Sequence, residues 1–220
     1  MSIDDQVCSA WQPLVLLVPG LDNSGSDHWQ SLWERDDRRC KRVELGRWYS
    51  PHRNTWVNQL NLAIYRAGRP VVLVAHGLGC HVVAWWAEYE QPVAGGPVIG
   101  ALLVAPPDVE GEAADLRLKR FAPLAGSRLP FKSFVVASEN DPWASFGSAR
   151  RFARKWGSLL INAGPIGHIN ADSGIGDWHY GRYLLSQLAA EVSSRPALQL
   201  TDGAVAGISL LAPASAEVSR

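Results

Sequence analysis

The chain has 220 residues, 47% of them hydrophobic and 19% charged, which predicts one globular domain with a substantial core and excludes a disordered or fibrous chain. Its 21 basic and 21 acidic residues cancel, which argues against nucleic acid or an anionic membrane as partner. The opening MSIDDQVCSA lacks the basic and apolar regions of a signal peptide, and no later stretch is apolar for long enough to span a bilayer. Both absences predict a cytoplasmic protein, and Cys8, Cys40 and Cys80, which form no CxxC or Cys/His cluster, predict reduced thiols with neither a disulfide framework nor a zinc site.

In chain order, LVLLVP (from Leu14) is a short continuous apolar run that suits a strand buried on both faces. DHWQSLWERDD then reads as a helix, with Asp27 as N-cap and Trp29, Leu32 and Trp33 on one face. The strand KRVEL, the helix TWVNQLNLAIYRA, the strand PVVLVA and the helix CHVVAWWAEYE follow. Three further strands (VIGALLVA, KSFVVAS, SLLINA) and two further helices (SFGSARRFARKW, WHYGRYLLSQLAAE) complete the alternation. This order predicts an α/β fold with a mainly parallel central sheet, helices on both faces and functional loops at the carboxyl ends of the strands. Residues 106–130 break the rhythm around one short helical piece; a small cap and a plain surface connection both fit. The domain is expected to span 1–192, and the aromatic-free 193–220 to form a loosely ordered tail.

The chemistry begins at the turn between PVVLVA and its helix, where Ala75-His76-Gly77-Leu78-Gly79 occupies the frame G-x-S-x-G of a nucleophile elbow. The frame fits, but the tip is Gly77 and carries no hydroxyl. A serine at the tip is held at a strained positive φ that glycine adopts freely, so Gly77 keeps the turn and deletes the nucleophile. A phosphate loop is disfavoured, because GLG lacks both the third glycine of GxGxxG and the lysine of a Walker motif.

An acid and a base follow in the order such a site requires. Asp141 lies just past SFVVAS in ENDPW, where a carboxylate can fix an imidazole tautomer. His168 lies in the glycine-flanked loop GPIGHIN, where a general base is exposed. An oxyanion hole requires two backbone N–H donors, expected at Leu78, after the elbow tip, and at Leu21, beside Gly20 in VPGLDNSG. Among the ten tryptophans, Trp29, Trp143 and Trp178 fall in or beside loops and are candidates to line the substrate groove.

LVPGLDNSGSDHWQSLWE, VAHGLGCHVVAWWA, ASENDPWASFGSARRFARKWG and GHINADSGIGDWHYG together resemble the small α/β-hydrolase family of retinoblastoma-binding-type serine hydrolases and their bacterial relatives, over about residues 12–192. The resemblance implies an α/β-hydrolase fold with minimal or no cap, no cofactor, and a Ser-His-Asp triad whose serine falls on Gly77, acid on Asp141 and base on His168. It implies a carboxylesterase or amidase that acts on a small-molecule ester or amide through an acyl-enzyme. Two explanations of Gly77 stand: an inactivated variant of such an enzyme, or a natural pseudo-hydrolase that binds without turnover. Cys80, beyond the elbow, and Ser24 are poor stand-ins for the nucleophile. The triad leaves open ester against amide, and the oligomeric state is equally open.

Overall fold

A computed structural model describes residues 13–193 except residue 113. Among these, β1 (Leu14–Val18), β2 (Cys40–Arg42), β3 (Val71–His76), β4 (Val98–Val104), β5 (Lys132–Ala137) and β6 (Leu159–Asn162) form one six-stranded sheet in the order β2-β1-β3-β4-β5-β6. Every neighbouring pair is parallel, as the near-continuous apolar runs predict. The tail expected at 193–220 lies outside the described residues, apart from Ser193 at the end of the last helix.

The two faces of the sheet carry separate cores, divided by the two-residue period of the strands. Leu16 and Val18 of β1, Leu73 and Ala75 of β3, and Val135 of β5 pack with α2 (Arg53–Ala67), α3 (Leu78–Glu90) and α5 (Phe146–Trp156). The alternate residues Val15, Leu17, Val72, Val74 and Val136 pack with α1 (Trp29–Asp36) and α6 (His179–Ser193). Helices therefore cover both faces, and the fold is that of an α/β-hydrolase.

The helix α1 starts one residue later than the sequence suggested. His28, not Asp27, is the N-cap: its backbone is extended and its ring Nδ1 accepts the Gln30 amide at 3.1 Å. The strand expected at KRVEL stops at Arg42, although Val43 and Leu45 remain buried. In the 106–130 segment regular structure is limited to α4 (Leu116–Lys119), whose Leu118 is buried in the α2–α3 core. The Arg117 guanidinium ties this segment to the loop after β1, reaching Asp115 at 2.7 Å and Asp22 at 3.1 Å. Both pairs lie at the surface, where solvent screens them, so they orient the segment more than they stabilise the fold.

Candidate active site

In an open parallel sheet, a crevice opens at the carboxyl ends of the strands where the strand order reverses. Here that point lies between β1 and β3, and a cavity of about 300 Å³ sits there, lined among others by Leu21, His76, Gly77, Leu78, Trp143 and His168. That volume is at the small end for ligand sites.

The elbow is built by backbone alone. Gly77 has φ 54° and ψ −127°, a conformation that costs an L residue about 1–3 kcal/mol and costs glycine little. Its neighbours are as constrained by space: a Cβ on Gly79 would collide with the Val18 carbonyl, and one on Gly20 would stand 2.9 Å from the His76 carbonyl oxygen. The turn is therefore the one a nucleophile elbow makes. A Cβ on Gly77 would lie 3.4 Å from His168 Nε2, with Gly20 Cα at 3.9 Å as the other neighbour within 4 Å.

His168 and Asp141 meet across 27 residues of sequence. The ring Nδ1 lies 3.0 Å from both oxygens of Asp141, whose side chain is 4% exposed, and the Trp143 amide donates to the same carboxylate at 2.9 Å. With Nδ1–H donating to the acid, Nε2 presents its lone pair toward position 77, the tautomer a general base needs.

The His168 loop is pinned from several directions, and none of these anchors was visible in the sequence. Trp29 Nε1 donates to the Ile169 carbonyl at 2.8 Å, and His76 Nε2 donates to the His168 carbonyl at 2.9 Å. Asn140 Oδ1 accepts the Gly167 amide at 2.7 Å, and Ser138 Oγ accepts the Ile166 amide at 2.9 Å. These bonds hold Ile169, a β-branched residue at φ 50°, in a conformation it would otherwise leave.

Two more rings stand behind His168. His76 lies 4.8 Å from it and His28 4.6 Å from His76, both edge-on. Burial, and after it electrostatic coupling to the neighbouring His28 and His168 rings, pushes the His76 imidazole well below its ordinary value. Burial, then the Arg42 guanidinium, drives His28 down to about 3. Both rings are thus neutral near pH 7 and set no competing charge beside the dyad. His28 Nε2, which carries the proton because Nδ1 is an acceptor, has no partner among the described residues.

The amides of Leu21 and Leu78 likewise find no acceptor among the described residues, and both residues line the cavity. Leu78 opens the thirteen-residue α3, so the helix dipole adds to its affinity for negative charge.

The three tryptophans divide. Trp143 is 39% exposed, lines the cavity and stands 5.9 Å from the His168 ring. Trp29 and Trp178, expected at the substrate, are instead buried in the core between the sheet and helices α1 and α6, with ring centroids 5.0 Å apart. A large apolar ring beside a loop gains more by filling that core than by facing solvent. Cys80 and Ser24 are no substitutes for a nucleophile. Cys80 is buried with Sγ 3.3 Å from the Val104 carbonyl, and burial pushes its thiol well above the ordinary value. Ser24 Oγ is tied to Gln30 Oε1 at 2.7 Å.

A parallel sheet with a tight β3–α3 elbow and helices on both faces defines the class as α/β-hydrolase. Within it, the chain belongs to the serine hydrolase family, whose model matches residues 15–187. A YdeN-like hydrolase from Pectobacterium atrosepticum is 30% identical, with 87% of this chain and 99% of that one covered at a TM-score of 0.74. The ydeN gene product of B. subtilis is 21% identical over 81% of this chain and 99% of its own, at 0.64. A monoacylglycerol lipase from Paleococcus ferrophilus shares the fold at 13% identity and 0.57, over 81% of this chain and 96% of that one. No curated protein gave a significant match. Among the described residues, no helix is long and apolar enough to cross a membrane.

Proposed function

We propose that the chain carries the binding and proton-transfer apparatus of a carboxylesterase or amidase, with Gly77 in the seat of the nucleophile. The observation that carries this reading is the 3.4 Å between His168 Nε2 and a Cβ built on Gly77, which leaves a serine hydroxyl there within reach of the base. With serine at 77, His168 takes the hydroxyl proton, the alkoxide attacks the acyl carbon, and the Leu21 and Leu78 amides hold the oxyanion. His168 then returns the proton to the leaving group. Water releases the acyl group from the enzyme by the reverse sequence. Asp141 holds the imidazole in register, and Trp143 packs against a small ester or amide in the cavity.

As it stands, the chain forms no acyl-enzyme at 77. On this reading residues 1–192 are the hydrolase domain, 193–220 are an appended tail, the setting is cytoplasmic, and neither cofactor nor metal takes part. A binding protein on the same fold is the second reading, favoured by the ease with which glycine occupies the elbow at φ 54°.

The test is Gly77→Ser, assayed on a short-chain nitrophenyl ester and with a fluorophosphonate probe. Gain of both hydrolysis and labelling, each lost on adding His168→Gln, supports the enzyme. Correctly folded Gly77→Ser protein that does neither leaves the binding reading.

A further inference from the structure

A nucleophile position occupied by alanine keeps a methyl group where the serine Cβ stood. Gly77 keeps none. The space a side chain would fill is bounded within 4 Å by His168 Nε2 at 3.4 Å and Gly20 Cα at 3.9 Å, and it opens on the cavity. The replacements at hand are also closed off: Cys80 lies buried against the Val104 carbonyl, and the Ser24 hydroxyl is bonded to Gln30. Meanwhile the base keeps its acid at 3.0 Å, and the two cavity-lining amides keep free N–H groups.

We propose that the chain with Gly77 is itself a slow hydrolase, in which a water molecule seated over Gly77 and activated by His168 attacks the acyl carbon directly, without a covalent intermediate. The proposal rests on the reading of His168, Asp141, Leu21 and Leu78 given above, and adds an activity that reading does not require. The water oxygen bonds to the acyl carbon as its proton passes to His168 Nε2, and the carbonyl oxygen becomes an oxyanion on the Leu21 and Leu78 amides. Collapse breaks the bond to the leaving oxygen, which takes the proton back from His168, so one ester and one water give one acid and one alcohol. A single step with a weak nucleophile replaces two easier ones. The substrates are therefore small esters with good leaving groups, sized to a cavity of about 300 Å³.

The distinguishing property is dependence on the base. An oxyanion hole and binding alone leave about 10³–10⁴-fold acceleration over water when a triad member is lost. Direct activation adds a general-base contribution of about 10²–10⁴-fold that a base-less variant forfeits.

The experiment compares the chain with Gly77, His168→Gln and Gly77→Ala on nitrophenyl acetate, with intact-protein mass spectra taken during turnover. Expected are measurable hydrolysis by the Gly77 chain without an acyl adduct, a loss of about 10²-fold or more in His168→Gln, and a comparable loss in Gly77→Ala, whose methyl takes the water's place. His168→Gln carries the test should Gly77→Ala fail to fold at its positive φ. A rate unchanged in His168→Gln, no rate above buffer, or an acyl adduct on the Gly77 chain overturns the proposal. Gly77→Ser separates the two claims: labelling and turnover there, beside a Gly77 rate indifferent to His168, sinks direct water attack and leaves the hydrolase reading standing.

Discussion

The two halves of the site are made in opposite ways. The elbow from Ala75 to Gly79 is local: its shape comes from glycines packed against the β1 loop and requires no side chain at its tip. The His168 loop is assembled at long range, from Trp29, His76, Asn140 and Asp141, and each supplies a hydrogen bond to it. The elbow tip therefore holds its shape without a side chain, whereas the His168 loop cannot be displaced without disturbing the core beneath it.

Predictions that probe the contrast run from chemistry down to strain. In a Gly77→Ser background, Asp141→Asn is expected to lower kcat by about 10⁴, because the amide turns the imidazole toward the wrong tautomer; a loss under tenfold in steady-state assays would mean that Asp141 does not orient the base. In the same background His76→Phe keeps the ring but loses the bond to the His168 carbonyl. Leaving that carbonyl unpaired costs about 1–3 kcal/mol. A loosened base then appears as a fall in kcat of about 10–100-fold with KM little changed. A rise in KM alone would place His76 in substrate binding instead.

Acid tests three buried rings: His76 and His28 behind the loop, and His81 on α3, packed against Phe152 and Trp156. His28, held down to about 3, His81, held to about 4, and His76, held well below 6.5, are all neutral in the folded chain because burial disfavours their charged forms. The unfolded chain takes up protons below about 6.5, so the fold is at full strength above that pH and weakens as pH falls toward the folded values. At pH 5 the loss is about 2 kcal/mol each for His28 and His81, and His76 adds to it in the same direction. Urea midpoints at pH 7.5 and pH 5 measure it, and equal midpoints would place charge on these rings. The smallest effect belongs to the elbow. Gly77→Ser is expected to destabilise the fold by about 1–3 kcal/mol, a Tm lower by about 2–4 °C per kcal/mol; an unchanged Tm would show that the turn holds serine without strain.

The same asymmetry explains what the sequence disclosed. The elbow was readable because its requirements are local: an apolar strand, small residues around the tip, a helix without breakers. Asp141 and His168 were readable from their places after β5 and β6, since the fold delivers the ends of those strands to one edge. What holds His168 was hidden. The bonds from Trp29 Nε1 and His76 Nε2 span 140 and 92 residues of sequence, and no spacing announces them. For the same reason Trp29 and Trp178 read as groove residues from their position near loops, whereas packing turns both inward and leaves Trp143 at the cavity.

The most direct measurement is the mass of the protein during turnover of a nitrophenyl ester. Folded Gly77→Ser protein is expected to gain the mass of one acyl group on residue 77 and to lose that adduct on standing, while the chain with Gly77 shows none. Folded Gly77→Ser protein that neither acylates nor hydrolyses would contradict the view that a single hydroxyl separates this chain from a working serine hydrolase.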